Sequence, residues 1–488
     1  MLEERAKDVL HEVISLRNSL RPFNRLNPEI IVLCAAFVSD TDPTPIVSLT
    51  HVCRHWRRAI ISNPRNWASI GSRWKRLVPL CLERAGAFPL TVKISASDID
   101  EDEDFLWDKH FLQALLPHIS RISHLSLTEY WSIEKVEDDL PGFFASPMSN
   151  LTSLELEQIE EPTESFPSNE APTPPYFQNV STLTSLHLTR IPICASLLRI
   201  TSLVQLKLIG YTVPFDFGRF IRFLHSNPNL EFLILDLQFI GDSVSIALER
   251  KVSLPQLRRL VFTCASPADA KGLLSSVSFP RGVHIEIQGS HSNPCAKLAS
   301  FLPCPLEHIQ QLLAPITAIK YQPSPRLLHM FGGDGQFSFQ SPKVSSEMYE
   351  EFDLFATGAV RQFQVNVHPS GLGDGLLSRP LERLPALEVL VISGTPLSPG
   401  PLSVLAKEPI LCPSLKTIAF FDYGVTSHTI RQLEEVQAKR RDSGAAQLHR
   451  VVILNNRRSL PDLQSIHRLR EFIPRVDVGV GDELPNLL

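Results

Sequence analysis

The spacing of apolar residues changes twice along this chain, and each change marks a different kind of element. Within the first 20 residues Leu2, Ala6, Val9, Leu10, Val13, Leu16 and Leu20 fall on one side of a helix. Further on, Ile30, Ile31, Cys34, Phe37 and Val38 repeat at helical spacing behind a sharp start. Asn27 suits the N-cap, Pro28 the first helical position and Glu29 the positive end of the helix dipole. Two Pro and two Asp between Asp40 and Pro45 read as a turn. Leu49, Val52, Cys53, Trp56 and Ile60 then form a second helical stripe, which Asn63 and Pro64 stop and Trp67 closes with a large aromatic. From Ser72 to Ala85 the face made by Trp74, Leu77, Val78, Cys81 and Ala85 predicts a bridging helix, with Gly86 where a C-cap glycine belongs.

At Leu90 the period shortens to two: Leu90, Val92 and Ile94 alternate as a strand. Beyond it a spaced triplet, L-x-x-L-x-L, recurs. It runs from Ile122-Leu125-Leu127 and Leu151-Leu154-Leu156 through Leu183-Leu186-Leu188, Leu203-Leu206-Leu208, Leu230-Leu233-Leu235 and Leu257-Leu260-Phe262 to Leu387-Leu390-Ile392 and Leu415-Ile418-Phe420. The starts at 203, 230 and 257 are 27 apart and those at 387 and 415 are 28 apart, inside the range of about 20–29 residues of leucine-rich repeats. Each turn lays one short strand beside the last at about 4.8 Å, and its three apolar positions enter a core that no single turn could fill. The expectation is an α/β fold in which a small helical module precedes an irregular leucine-rich-repeat solenoid, parallel strands inside and helices outside. Phe217, Phe220, Ile221 and Leu224, and later Ile430, Leu433 and Gln437, are spaced for such helices. Pro228, Pro255, Pro385 and Pro413 each stand two residues ahead of a leading leucine, where they end a helix and start the strand extended. Between about 265 and 385 the register is lost, and only Val283-Ile285-Ile287 and Phe363-Val365-Val367 alternate. Glu157 to Gln178 holds five Pro and an acidic run and reads as an inserted loop; Asp98 to Asp104 reads as a solvated acidic loop.

Composition removes whole classes of function. At 488 residues, 43% hydrophobic and 20% charged, this is ordinary soluble composition. A formal charge of −5 provides no field to collect nucleic acid or an anionic membrane, so neither is an expected partner. The eight cysteines are dispersed without a C-x-x-C, as free thiols are in a reducing compartment. The acidic start, Leu2-Glu3-Glu4, is unlike a secretory leader, and the Ile30–Val38 run is too short to span a bilayer; the expected location is the cytoplasm or nucleus. Candidate chemistry is sparse. Gly332-Gly333-Asp334-Gly335 lacks the Lys-Ser/Thr of a phosphate loop and reads as a turn. His291, Cys295, Cys304 and His308 have zinc-ligand types but no knuckle, and Pro294, Pro303 and Pro305 among them favour ordinary loop residues. Lys439-Arg440-Arg441 and Arg457-Arg458 read as solvated basic clusters. No catalytic residue, metal site or cofactor is expected.

Leu26-Asn27-Pro28-Glu29-Ile30, an apolar run, His51-Val52-Cys53-Arg54-His55-Trp56-Arg57 and a final Trp67 together resemble the F-box, in the form common in the large fungal F-box-like family. The chain departs from that pattern at Asn27, where many members have a second Pro; helix capping is unaffected. The resemblance implies docking onto a Skp-type adaptor and, through it, a cullin ubiquitin ligase. The adaptor-facing residues it implies are Leu26, Pro28, Glu29, Ile30, Leu49 and Val52, with Cys53, Trp56 and Trp67 in the module's core. A module of about 45 residues buries too little surface to be secure alone and leans on a neighbour or a partner. The expected organisation is a helical flank at 1–22 packed on the module, the module at 23–70, a bridging helix at 71–89 and the repeat domain at 90–480 with its insertion near 157–179.

Residues between the core leucines project from the strands toward solvent on the inner face of such a solenoid. They are polar in early turns, as at His124, Ser126, Glu155 and His187, and apolar later. Phe232, Ile234, Val261, Val389, Val391 and Phe421 are therefore the candidate target-binding residues, unless a segment such as Val451-Val452-Ile453-Leu454 covers them. The expected role is the non-enzymatic, substrate-recognition subunit of a cullin-type ligase, acting by effective concentration. The alternative is a repeat scaffold that binds protein partners without ligase association.

Overall fold

The structure, a computed structural model, describes residues 2–39, 44–71, 77–95, 109–130, 143, 146–158, 180–190, 199–210, 215–237, 239–240, 251–264, 266–289, 298–303, 307–323, 326–333, 335–341, 352, 354–355, 357–367, 375–394, 401–454 and 463–479. The chain forms two compact units, Met1–Val213 and Pro214–Leu488. Both are mixed α/β with mostly parallel strands.

The N-terminal unit opens with helices α1 (Leu2–Leu20), α2 (Pro28–Ser39), α3 (Thr44–Thr50) and α4 (Arg54–Ile61). Asn27 caps α2 as expected: its Oδ1 accepts from the Glu29 backbone N–H at 3.1 Å. Helices α2, α3 and α4 pack on one another. The stripe from Leu49 to Ile60 is not one helix. Cys53, with φ −162°, is extended backbone and caps α4, so Leu49 belongs to α3, Trp56 and Ile60 to α4, and Val52 to the corner between them. Arg57 Nε–H donates to the Thr50 carbonyl at 2.9 Å, satisfying the last turn of α3 and holding that corner.

After a single 3-10 turn, Pro64–Trp67, come β1 (Ser69–Gly71), α5 (Val78–Ala85), β2 (Leu90–Ser95), α6 (Lys109–Leu115), β3 (Ile122–Tyr130), β4 (Ser153–Gln158), β5 (Ser185–Thr189) and β6 (Gln205–Ile209). They pair in chain order, all parallel. Val92, Leu125, Leu154, Leu186 and Leu206 form one buried row and Ile94, Leu127, Leu156, Leu188 and Leu208 the next. Each such side chain contributes about 1.5–3 kcal/mol of burial, so the repeated triplet is the stabilising element of the unit. Threonine hydroxyls stitch successive turns, Thr152 to the Ser123 carbonyl at 2.9 Å and Thr184 to the Thr152 carbonyl at 3.0 Å.

The C-terminal unit contains α7 (Phe217–His225), β7 (Phe232–Leu237), β8 (Arg259–Cys264), α8 (Pro267–Ser276), β9 (His284–Gly289), α9 (Leu298–Phe301), α10 (Glu307–Leu313), β10 (Ile316–Pro323), β11 (Arg326–Gly332) and β12 (Gly335–Ser341). There follow β13 (Gln362–Val367), α11 (Gly375–Glu382), β14 (Val389–Gly394), β15 (Thr417–Phe421), α12 (Ser427–Asp442), β16 (Arg450–Leu454), α13 (Leu463–Phe472) and β17 (Arg475–Gly479). The segment of lost register holds an antiparallel meander. β9 pairs in parallel with β12, β12 and β11 are antiparallel, β11 and β10 are antiparallel, and β10 pairs in parallel with β13. The glycine-rich motif is the β11–β12 turn, as expected. A Cβ on Gly332 would lie 1.9 Å from the Leu313 carbonyl oxygen, and Gly333 has φ +53°.

The basic cluster at 439–441 departs from expectation. Arg440 is fully buried, and its guanidinium donates to the carbonyls of Leu411, Cys412, Pro413, Leu415 and Ala446 at 2.6–3.3 Å. Its place on the inward side of α12, beside Leu433, Val436 and Gln437, draws it in, while Arg441 stays exposed. Among the described residues no helix is long and apolar enough to cross a membrane, and no three metal-ligating side chains converge. The side chains of His291, Cys295, Cys304 and His308, the run Asp98–Asp104, residues 159–179 and Arg457-Arg458 lie outside what the structure describes.

Candidate functional site

Two surfaces merit attention, one in each kind of element. The first is the outer side of α2. Its inner side buries Ile31 and Ala35 completely, whereas Ile30, Leu33 and Phe37, at i, i+3 and i+7, are 44%, 63% and 86% exposed. The expected stripe of Ile30, Ile31, Cys34, Phe37 and Val38 does not share one environment: Ile31 is buried, whereas Cys34 and Phe37 are exposed, as is Ile30, which the resemblance already turned outward; the side chain of Val38 lies outside the described residues. Val52 is also exposed, Pro28 and Glu29 are exposed, and Leu26 and Leu49 are half-buried. All six residues expected to face an adaptor thus retain accessible surface. Beside them an open groove of about 520 Å³ is lined by Pro28, His55, Arg57, Arg58 and Ser62, giving the apolar patch a basic flank.

Beneath the patch, Trp56 is buried and stacks on Phe23, ring centroids 5.0 Å apart. Phe23 was not singled out in the sequence because no period links it to the helices. Trp67 is buried, donates its Nε1–H to the Ile60 carbonyl at 3.1 Å and lies under the Arg84 guanidinium at 4.3 Å. Cys53 is not core: as the α4 cap it is half-buried.

The second surface is the sheet face opposite the leucines. In the N-terminal unit, strand register aligns Lys93, Ser126, Glu155, His187 and Lys207. His187 Nδ1–H donates to Glu155 at 2.7 Å and the Ser126 hydroxyl donates at 2.8 Å. These bonds, the one from His187 foremost, pull the Glu155 carboxyl from its ordinary 4.5 down to about 2. A depressed carboxylate stabilises the fold fully above its unfolded value and loses that contribution as pH falls through the folded one. The N-terminal unit is therefore expected to lose about 1–2 kcal/mol, after screening by solvent, between pH 4.5 and about 2. Urea unfolding across that window, with Glu155→Gln flattening the dependence, measures it; an unchanged slope in the variant would contradict the assignment.

In the C-terminal unit the central register row reads Ile234, Val261, Glu286, Ser338, His329, Lys320, Gln364, Val391, Ala419, Val452 and Asp477. Its apolar end corrects the target-binding expectation. Val389 and Val391 are buried with Ala419 and Val452 in one cluster, against which Leu454 packs. They are core, not surface. Val261 is buried as well, and only Phe232, Ile234 and Phe421 keep partial exposure. The Val451–Leu454 segment takes part in that burial, as strand β16 of the same sheet: Val452 belongs to the cluster and Leu454 packs against it.

The middle of the row is polar, with Ser338 buried and Glu286, His329, Lys320 and Gln364 half-buried. The Ser338 hydroxyl lies 2.6 Å from His329 Nδ1 and 3.4 Å from His284 Nε2. Burial lowers both imidazoles from their ordinary value, with Arg259 acting further on His284 and Lys320 on His329, so both are uncharged near neutral pH. Glu286 accepts from Gln288 at 2.7 Å and from Arg259 at 3.1 Å; burial opposes its charge, but those bonds outweigh it and hold it below the usual carboxylate range. The set is bonded mostly within itself, with the half-buried His329, Lys320 and Gln364 at its surface. Sequence reasoning missed His329 and Ser338 because the meander that aligns them carries no leucine triplet. Compared with known proteins, the chain matches no family model and no curated protein sequence.

Proposed function

We propose that this protein is the substrate-recognition subunit of a cullin-type ubiquitin ligase. The observation that carries the reading is the outer side of α2: three large apolar residues at helical spacing stand in solvent on a helix whose other side is fully packed. Together with Val52 and the basic groove, that side has the make-up of a docking face for a Skp-type adaptor. In this reading the successive strands are turns of an irregular leucine-rich-repeat solenoid, and the target lies against the polar band from Arg259 to Gln364. It acts by holding a target beside the ubiquitin-charged enzyme, so its contribution is effective concentration and orientation.

The test is co-purification of the chain with a Skp-type adaptor, comparing wild type with an Ile30→Asp, Leu33→Asp double variant. Both side chains are exposed, so the variant is expected to keep its helical circular dichroism while adaptor affinity falls by about 100-fold or more. A folded wild type that does not bind the adaptor would sink the ligase reading and leave the repeat scaffold in its place.

A further inference from the structure

In the C-terminal unit, strand register places Ser338 of β12, His329 of β11, Lys320 of β10 and Gln364 of β13 opposite one another, so the four share one face of the sheet. Neighbouring strands are about 4.8 Å apart, which sets His329, Lys320 and Gln364 in a line about 10 Å long. Ser338 is buried and fixes how the first of them is protonated. Its hydroxyl is 2.6 Å from His329 Nδ1, closer than the usual N–H···O range of about 2.7–3.2 Å and within the range of about 2.5–3.0 Å of a hydroxyl donor. The hydroxyl therefore donates to Nδ1, while His284 Nε2–H, at 3.4 Å, meets its lone pair. A neutral imidazole that accepts at Nδ1 carries its proton on Nε2, and that N–H has no partner among the described residues. The Lys320 ammonium and the Gln364 amide likewise make no hydrogen bond or ion pair among the described residues.

We propose that this line binds a carboxylate of a protein partner, the side chain of an Asp or Glu in an acidic segment. The inference deepens the reading of this band as the target face and rests on it. Charge selects the ligand. Arg259 and Glu286, on the same face, pair with each other at 3.1 Å, which leaves the Lys320 charge uncompensated between two N–H donors. One positive charge with a donor on either side suits a singly charged acceptor with two oxygens. A phosphoryl group carries about two negative charges and is matched by the fork of an Arg guanidinium, which the register row from Glu286 to Gln364 does not contain. Phe331, two residues along β11 on the same face and half-buried, stacks on the His329 imidazole with centroids 6.3 Å apart. It forms an apolar shelf for the residue next to the carboxylate, which a free small acid does not use.

Blocked dipeptides titrated into the full chain, with its histidines labelled with nitrogen-15, test the proposal at the His329 imidazole. Acetyl-Leu-Glu-amide is expected to shift Nε2 with a Kd on the order of 1 mM, the strength of one charged contact on an open face. Lys320→Met, with an unchanged thermal midpoint, is expected to weaken that binding by about 10-fold and Gln364→Leu by about 3-fold. Acetyl-Leu-Gln-amide at the same ionic strength is expected to leave Nε2 where it was. The proposal is overturned if Nε2 does not move up to about 50 mM dipeptide, if the Glu and Gln dipeptides bind equally, or if both variants bind as the wild type does. It is also overturned by a His329 that is protonated on Nδ1, by tighter binding of the O-phosphoserine dipeptide, or by acetate binding as tightly as the Glu dipeptide. A chain that takes the dipeptide but not a Skp-type adaptor keeps the carboxylate site and loses the ligase reading, and one that takes the adaptor but no dipeptide does the reverse.

Discussion

Arg440→Met is expected to remove about 3–5 kcal/mol from the C-terminal unit, a large share of a stability that for such a unit is on the order of 5–15 kcal/mol. The side chain is fully buried and no carboxylate meets it among the described contacts; its charge is held by five backbone carbonyls. Cys412 and Pro413 keep backbone donors, Leu415 N–H and Ala446 N–H, when the guanidinium is gone. The carbonyls of Leu411, Leu415 and Ala446 lose the donor the guanidinium gave them, at about 1–3 kcal/mol for each that is left unpaired. Methionine fills the space without supplying a donor. Lysine supplies one head that cannot fork to both sides of the 411–415 loop, so Arg440→Lys is expected to fall between. The neighbouring Arg441 is exposed, and Arg441→Met should change stability by no more than about 0.5 kcal/mol. Urea denaturation of the three variants reads the order directly. Equal midpoints for Arg440→Met and Arg441→Met would show that the clamp contributes nothing.

Two buried tryptophans of the helical module are expected to respond differently to the same substitution. Trp56→Ala should cost about 3–5 kcal/mol, because it empties the space between α4 and Phe23. Trp56→Phe should cost less than about 1.5 kcal/mol: the ring contact survives, and the indole Nε1–H has no hydrogen-bond partner among the described residues. At Trp67 the N–H is bonded to the Ile60 carbonyl, so Trp67→Phe loses a buried hydrogen bond and should cost about 1–3 kcal/mol more than Trp56→Phe. Denaturant midpoints of the four proteins settle the ranking, and a Trp56→Phe as damaging as Trp56→Ala would mean that its N–H has an essential partner.

Legibility of the fold followed the strength of the local signal. The strands were readable wherever a leucine triplet marked them, because three apolar residues at fixed offsets on a two-residue pleat leave only one face to bury. The start of α2 was readable from Asn27, whose Oδ1 accepts from the Glu29 N–H; the cap of α7, Asp216, whose Oδ1 accepts from the Arg219 N–H, was not singled out. Which side of α2 is inward was not readable, since Ile30, Ile31, Leu33, Ala35 and Phe37 are apolar all round and only the position of α4 decides among them. The burial of Arg440 was hidden by its neighbours Lys439 and Arg441, whose charge suggested solvent for all three. On the sheet face, residue type misled in the opposite direction. Val389 and Val391 looked like a binding patch but close on Ala419 and Val452, whereas the polar band depends on a meander that periodicity does not reveal.

That meander also divides the C-terminal unit along a seam. β7 to β9 form one block and β13 to β17 another, and among the described strands the ladder between the blocks runs through β12, β11 and β10. In an array of parallel turns each strand depends on its nearest neighbours, so cooperativity is passed along like tension in a chain. Here one link is three strands wide and is made by a chain that overshoots to β10 and doubles back to β12. The unit therefore melts as one body only while the doubled-back segment stays in register, which makes three short strands the keeper of its all-or-none behaviour.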